Sequence, residues 1–407
     1  MPLIRPFAGL RPAAGRAAEV IAPPYDVLTA EEAKRRADGR PWSFLHISKP
    51  EIDLPESTDP YAPQVYAKAR ENLDRMLAEG VLRRDAAPRY YVYRLSTGEH
   101  VQTGLVAAAS VADYVSNRIR RHELTRPDKE DDRVRQIQAL SAQTGPVLLA
   151  HPEAPGIDGI LAEAAAGPPA ADAQADDGVR HTLWVIEDAA VMARIGTLFE
   201  DLPALYIADG HHRSAAAARV AADRRGGNIS ADDAFLAVIF PHHQMRILDY
   251  NRTVADLNGM TPARFLARVA ERFAVEAAGA PVRPTERGEF GLCLGGAWYQ
   301  LRILPELIPA DPVARLDVSL LSEHLLGPLL GIRDLRRDQR IDFVGGIRGL
   351  AELHGRVTSG QAAAAFSLHP TSMEDLMAVA DAHEIMPPKS TWFEPKLADG
   401  MVSLVLD

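Results

Sequence analysis

The sequence predicts an α/β fold of mixed α+β character, with a mixed sheet flanked by helices. Apolar runs of strand length alternate with segments of helical spacing along the chain. The 407 residues also exceed the roughly 250 to 300 that one core usually holds. Three packed modules are therefore expected: an N-terminal α/β module over 1–150, a central one over 151–260, and a C-terminal α+β module over 261–407.

In Ile21-Ala22-Pro23-Pro24-Tyr25-Asp26-Val27 the two prolines force extended backbone, so this loop should present Tyr25 and Asp26 rigidly. From Tyr61 to Gly80, Tyr66, Leu73, Met76 and Leu77 recur at helical spacing, with Gly80 as a stop. Arg89–Arg94 and Val101–Ala109 read as paired strands around Ser96-Thr97-Gly98-Glu99. Residues 152–180 are rich in Ala, Gly, Pro and Asp, and read as a mobile loop or an excursion between elements. A strand over His181–Ile186, a helix from about Ala189 to Leu202 and a buried strand over Ala204–Ala208 follow. Ser214–Asp223, SAAAARVAAD, has the strongest helix preference in the chain. Phe235–Phe240 and Met245–Tyr250 read as a hairpin around Pro241-His242-His243-Gln244, with Asn251 and Arg252 at its exit. Beyond it come a Thr-Pro-opened helix over Thr261–Phe273, antiparallel strands within Phe290–Leu304, and a helix over Val318–Leu326.

Composition narrows the function classes. With 47% hydrophobic and 25% charged residues the chain is an ordinary folded protein. A net charge of −10 argues against a surface built as a whole to hold nucleic acid or an anionic membrane. Cys293 is the single cysteine and has no disulfide partner, which suits a reducing, cytoplasmic setting. The start MPLIRPFAGLRPAAGRAAEV reads as mature, folded sequence, and no window is long and apolar enough to span a bilayer.

The run Ala208-Asp209-Gly210-His211-His212-Arg213 lies between a strand end and a helix start. Backbone N–H groups and the positive end of the helix dipole converge there, which suits an anion. His211 and His212 add donors, and the guanidinium of Arg213 can grip two phosphate oxygens. Asp209 is placed to accept a hydroxyl proton or hold a divalent cation; a helix cap is its plainer role. A second cluster lies in NRIRRHELTRPDKEDDRVRQ, with Arg121, His122, Glu123, Lys129 and Arg133. Lys129 and Arg133 share a helix face at i and i+4 and suit a second phosphate, although mixed charge of this kind also forms solvated faces. Lys389-Ser390-Thr391 lacks the GxxxxGK frame of a P-loop, yet offers an oxyanion or substrate contact as an alternative to C-terminal packing. His242 and His243, neighbours on a strand, would point to opposite faces and not share a metal. Gly345-Gly346-Ile347-Arg348-Gly349 reads as a tight turn.

Taken in order, PFAGLRP, APPYDV, SFLHISKPEIDLP, RRHELTRPDKEDDR, YIADGHHRSAAA, DYNRTV, RIDFVGGIRGL and MPPKSTWFEPKL closely resemble the prokaryotic family catalogued as domain of unknown function 1015. The resemblance covers nearly the whole chain. The run Asp209–Arg213 also resembles the DGHHR segment of free serine kinases, members of the ParB and sulfiredoxin-like fold group. This second resemblance implies a ParB/sulfiredoxin-like core around the motif and phosphate transfer between a donor and the serine hydroxyl. It further implies Asp209 as base or Mg²⁺ partner, and a glutamate base that the motif does not place, for which Glu123 and Glu51 are candidates.

The expected function is then a small-molecule phosphotransferase interconverting serine and O-phosphoserine, with Mg²⁺ and with ATP, ADP or pyrophosphate as donor. Asp209, His212 and Glu123 would be catalytic, and Asp209 the metal ligand. His211, Arg213, Arg121, His122, Lys129, Arg133 and Lys389 would hold phosphate, and Tyr25, Asp26, Asn251, Arg252, Ser390 and Thr391 the substrate. A phosphatase of a phosphorylated small molecule and a nucleotide-binding regulatory protein without turnover are the alternatives. Serine or phosphoserine is the expected partner, a homo-oligomer is compatible with the sequence, and membrane and nucleic acid are disfavoured.

Overall fold

The computed structural model describes residues 2–230 and 232–406, and the chain in it divides into two compact units. One holds the chain as far as Met245 together with its return from Pro395; the other is Arg246–Glu394.

The first unit is built on a nine-stranded mixed sheet. Its strands run in the order Ile119–Arg120, Leu205–Asp209, Val147–His151, Ala234–Pro241, His100–Ser110, Tyr90–Thr97, Arg180–Ile186 and Ala171–Gln174, while Ile4–Arg5 pairs with His100–Ser110. Two neighbouring pairs are parallel, Leu205–Asp209 with Ile119–Arg120 and Ala234–Pro241 with Val147–His151. Every residue of Ala234–Pro241 is buried, as a continuous apolar run covered on both faces should be. The helices Pro127–Leu140 and His211–Arg224 pack on one another, and Ala215, Ala216, Ala217 and Ala221 of the second are buried. Val147, Leu149, Ile207, Val220 and Ile239 belong to the core that joins this helix layer to the sheet.

A smaller sheet in the same unit has the order Leu82–Arg84, Gly9–Pro12, Ser403–Val405, Ala142–Gln143. It clamps the end of the chain between early strands, and a β-bridge joins Ala22 to Asp399. The residues just before, from Pro395 on, are thereby fixed beside the Pro23-Pro24-Tyr25-Asp26 loop. Since the large sheet interleaves strands from both sides of residue 150, the module boundary expected there falls within one sheet.

The second unit is a six-stranded antiparallel sheet in the order Phe273–Ala278, Ala297–Ile303, Glu289–Leu294, Ala364–Leu368, Tyr250–Val254, Ile341–Gly345. Cys293, Trp298, Val344 and Leu353 pack in its core. Gly345 ends the last strand, and Gly346–Arg348 continues as a 3-10 turn into the Gly349–Thr358 helix.

Most expected elements are present, and two are corrected. Residues 152–180 are not an irregular loop: they form the Pro155–Ala164 helix and the Ala171–Gln174 strand. Pro155 opens that helix, and Ile157, Ile160 and Leu161 form a buried stripe that the intervening small residues obscure. The hairpin expected at 235–250 is also absent. Ala234–Pro241 pairs with His100–Ser110 and Val147–His151, whereas Arg246–Leu248 pairs with Trp392–Glu394. Between them His242–Gln244 makes a 3-10 turn that carries the chain onward. On that turn the rings of His242 and His243 meet edge to face at 5.7 Å, so they do not alternate as strand neighbours would. Among the described residues no helix is long and apolar enough to cross a membrane.

Gly104 shows how closely the central strands approach. A methyl group there would lie 2.6 Å from the Ile239 carbonyl oxygen and 2.7 Å from the Phe240 ring, both on the neighbouring strand. Gly104→Ala is expected to lower the free energy of unfolding by about 2 to 3 kcal/mol. Denaturant titration reads this directly, and an unchanged midpoint would show that the strand yields freely.

Candidate functional site

The site is built where the Leu205–Asp209 strand turns into the His211–Arg224 helix. The strand register shifts between Ile207 and Asp209, a bulge that re-aims the Asp209 side chain at the strand's end. Gly210 follows at φ 98°, a conformation that side-chain-bearing residues rarely adopt, and a Cβ there would also press on Arg213 and on Val147. No described side chain caps the helix, so its first turn keeps the anion-attracting character expected of it. The helix starts three residues earlier than its alanine run suggests, which makes His211, His212 and Arg213 its opening turn.

Arg213 is the buried centre of the site, with 8% of its surface exposed. It donates to the Pro146 carbonyl through Nη1. Its Nη2 lies 3.5 Å from Asp209 Oδ2 and 3.7 Å from Asp26 Oδ2, beyond good hydrogen-bond range. Its Nε bonds to no described residue. Burial disfavours the charge, but Asp209 and Asp26 outweigh it and hold the guanidinium above its ordinary range.

Asp209 is gripped from the other side by Lys396, whose Nζ donates to Oδ2 at 3.3 Å. Burial works against the Asp209 carboxylate, yet Lys396 and Arg213 hold it well below the usual carboxylate range. It is therefore an anion at any physiological pH and a weak acceptor of protons. Lys396 was not among the expected site residues. Its only sequence signal is its place in the block MPPKSTWFEPKL, 187 residues from Asp209.

Arg133 stacks on the Tyr25 ring at 3.8 Å and pairs with Asp132 at 2.5 Å, and Asp132 also accepts a bond from Tyr66 at 2.8 Å. Burial pushes the Tyr25 hydroxyl up to about 12, so it stays a donor. Tyr25, Arg133, Gln143, Thr144, Arg213 and Asp399 line a cavity of about 30 Å³, room for roughly one water molecule. Asp399, a second residue that the sequence did not reveal, is 2% exposed, and burial pushes its carboxyl up to about 7 against the pull of Arg213.

On the far side of the helix start, the His122 and His211 rings meet edge to face at 4.5 Å. Glu123 Oε2 stands 3.9 Å from His211 Nδ1, and 44% of its side chain is exposed. His212 Nε2 accepts the Arg126 N–H at 3.0 Å, so that nitrogen is unprotonated and His212 ties the RRHELTRP loop to the helix.

The family described as protein of unknown function, DUF1015, matches residues 4–319. The chain belongs to that family. No curated protein matches it. Among solved structures, it is similar to a point mutant of a free serine kinase in complex with ADP, at 16% identity and TM-score 0.35 over 68% of this chain and 84% of that one. A conserved hypothetical protein from Pyrococcus furiosus is similar at 15% identity and TM-score 0.34, over 70% and 90%. SbnI with a C-terminal truncation, from Staphylococcus aureus, is similar at 12% identity and TM-score 0.38, over 74% and 87%.

In this DUF1015 chain the first unit gathers Tyr25, Asp26, His122, Glu123, Arg133, Asp209, His211, His212 and Arg213 around one corner. Two other expected phosphate ligands are engaged by aromatic rings. Arg121 lies over Tyr114 at 5.1 Å, and Lys129 donates to the Tyr61 hydroxyl at 3.0 Å. Within the second unit Asn251 and Arg252 are 0% and 1% exposed. They hold local structure there: the Leu368 N–H donates to Asn251, and Arg252 donates to the Tyr250 and Lys389 carbonyls. Ser390 donates to the Pro387 carbonyl, Thr391 is half-buried, and Lys389 is an exposed side chain at φ 59°.

Asp399 makes a pH prediction. Its folded value of about 7 exceeds the roughly 3.9 of an unfolded aspartate, so its support for folding is complete below pH 4 and is lost as pH rises through 7. Asp399→Asn should therefore gain on the unmodified chain between pH 4 and pH 8, by on the order of 1 kcal/mol or more. Chemical denaturation at the two pH values checks this; a difference that does not change with pH would contradict it.

Proposed function

We propose that this DUF1015 protein is a small-molecule phosphotransferase of the free serine kinase type, interconverting serine and O-phosphoserine with ATP, ADP or pyrophosphate as donor. One observation carries the reading. At a helix start that no described side chain caps, the buried Arg213 guanidinium keeps an Nε bonded to no described residue and only distant carboxylate partners, with Lys396 on the same Asp209 oxygen. Such a guanidinium can give two donors to a phosphoryl group, for which the one-water cavity beside it would have to widen. The shared DGHHR run supports the choice of reaction.

Phosphoryl transfer depends on positioning and charge compensation more than on covalent chemistry. In this reading Arg213 and the helix start hold the transferred group, and Lys396 compensates its charge. Asp209, fixed as an anion, orients both cations. Glu123, an accessible carboxylate, accepts the hydroxyl proton. Asp26, 41% exposed on the Tyr25–Val27 turn, suits the ammonium group of an amino acid. His212 acts by positioning the RRHELTRP loop. The Mg²⁺ implied by the resemblance is ill suited to Asp209, because two cations, Lys396 at 3.3 Å and Arg213 at 3.5 Å, already face its Oδ2 and would repel a third. No step above runs through it.

Purified protein incubated with serine, Mg²⁺ and each donor in turn is expected to form phosphoserine with at least one of them. Asp209→Asn should lower turnover by about 100-fold with the fold intact, and Arg213→Lys should weaken binding of the phosphorylated substrate by about tenfold. A folded protein that makes no phosphoserine with any donor would remove the proposal. Release of inorganic phosphate from phosphoserine alone would reassign the site to a phosphatase.

A further inference from the structure

We infer that His122, Glu123 and His211 form a binding site for one divalent transition-metal ion of the zinc or cobalt class. One ligand atom from each lies within 4.8 Å of the others. The 3.9 Å between His211 Nδ1 and Glu123 Oε2 is too long for a hydrogen bond. It is close to the roughly 3.4 Å that separates two donors around a tetrahedral ion with bonds of about 2.1 Å.

The local fold explains why the three meet. Ile119–Arg120 pairs in parallel with Leu205–Tyr206, so the residues that follow each strand emerge side by side. His122 and Glu123 come from one exit, and His211 from the other.

The second observation is the state of the imidazoles. His122 and His211 are 2% and 4% exposed. Both ring nitrogens of His122 and Nε2 of His211 make no hydrogen bond of normal geometry to a described residue. Buried polar atoms left in that condition are costly. A coordinated ion relieves one nitrogen of each ring. The Ile207 carbonyl, which already pulls on His122, can take the N–H on that ring's other side, as carbonyls commonly do behind ligating histidines. Burial lowers both groups, His122 to about 4, so near pH 7 each is neutral with a lone pair to give. Two imidazoles and one carboxylate select a borderline transition metal over Mg²⁺ or Ca²⁺, which prefer oxygen donors.

The site stands on this geometry, while its use rests on the phosphotransfer reading. There the ion would polarise an oxygen of the reacting groups. One oxygen of Glu123 would bind it, leaving the other to accept the hydroxyl proton.

The test uses the full chain after chelation and dialysis. Titration with Zn²⁺ and Co²⁺ should reach one ion per chain, with affinity at least about 1,000-fold above that for Mg²⁺. Cobalt should give the visible absorption of a nitrogen-ligated centre of low coordination number. His122→Ala and His211→Ala should each weaken Zn²⁺ binding by about 100-fold or more. The cobalt spectrum of the unmodified chain decides the matter if a variant does not fold. Substoichiometric binding, equal affinity for Mg²⁺, an all-oxygen cobalt spectrum, or affinity unchanged in both folded variants would each overturn the site. The readout is independent of catalysis: metal bound without phosphoserine formed would sink the phosphotransfer reading and leave this one standing.

Discussion

The buried charge of Arg213 is the constraint on which the first unit's functional corner depends. A guanidinium at 8% exposure is tolerable only with several compensating groups around it. Here they come from four distant parts of the chain: Asp26 from the N-terminal loop, the Pro146 carbonyl from the entry to a central strand, Asp209 from the bulged strand end, and Asp399 from the returning C-terminus. Gly145 leaves room for the approach: a Cβ there would sit tightly against Arg213 Cδ at 3.3 Å and in ordinary contact with Asp399 Oδ1 at 3.5 Å. The small sheet that holds Ser403–Val405 between Gly9–Pro12 and Ala142–Gln143 is thus more than a terminal clasp. Without it neither Lys396 nor Asp399 would reach this corner.

Much of this was legible in the residues because the signals were local. The strand over 205–209, the glycine after it and the alanine-rich helix beyond announce themselves by apolar run, φ requirement and propensity. The prolines before Tyr25 and the one at Pro127 likewise mark an extended lead, which the structure turns into a 3-10 turn over Tyr25–Val27, and a helix start. Each of these rests on physics acting over fewer than about a dozen residues.

What escaped the sequence is non-local or masked. The pairing of Lys396 with Asp209 spans 187 residues, and no periodicity carries information over that distance. The turn at His242–Gln244 resembles a hairpin in composition, but strand partners, not turn residues, decide where a chain goes next. Ala234–Pro241 already has both of its edges filled by His100–Ser110 and Val147–His151. No edge is left for the run that follows. In the Pro155–Ala164 helix the apolar stripe is only three large residues wide, so small neighbours flatten the pattern.

The three consecutive polar residues after Gly210 acquire a single explanation from helix geometry. Successive side chains on a helix fan out by about 100°. His211, His212 and Arg213 therefore leave one turn in three directions, and each meets a different neighbour. His211 turns to His122 and Glu123, His212 to the Arg126 N–H, and Arg213 to Pro146 and the carboxylates. The first contact is between buried neutral rings, the second is a hydrogen bond that fixes a loop, and the third is a buried cation among anions. One turn thus divides the corner into a nitrogen-rich side and a charged side. An isolated histidine or arginine at this helix start could reach only one of them, so only the whole run reaches both.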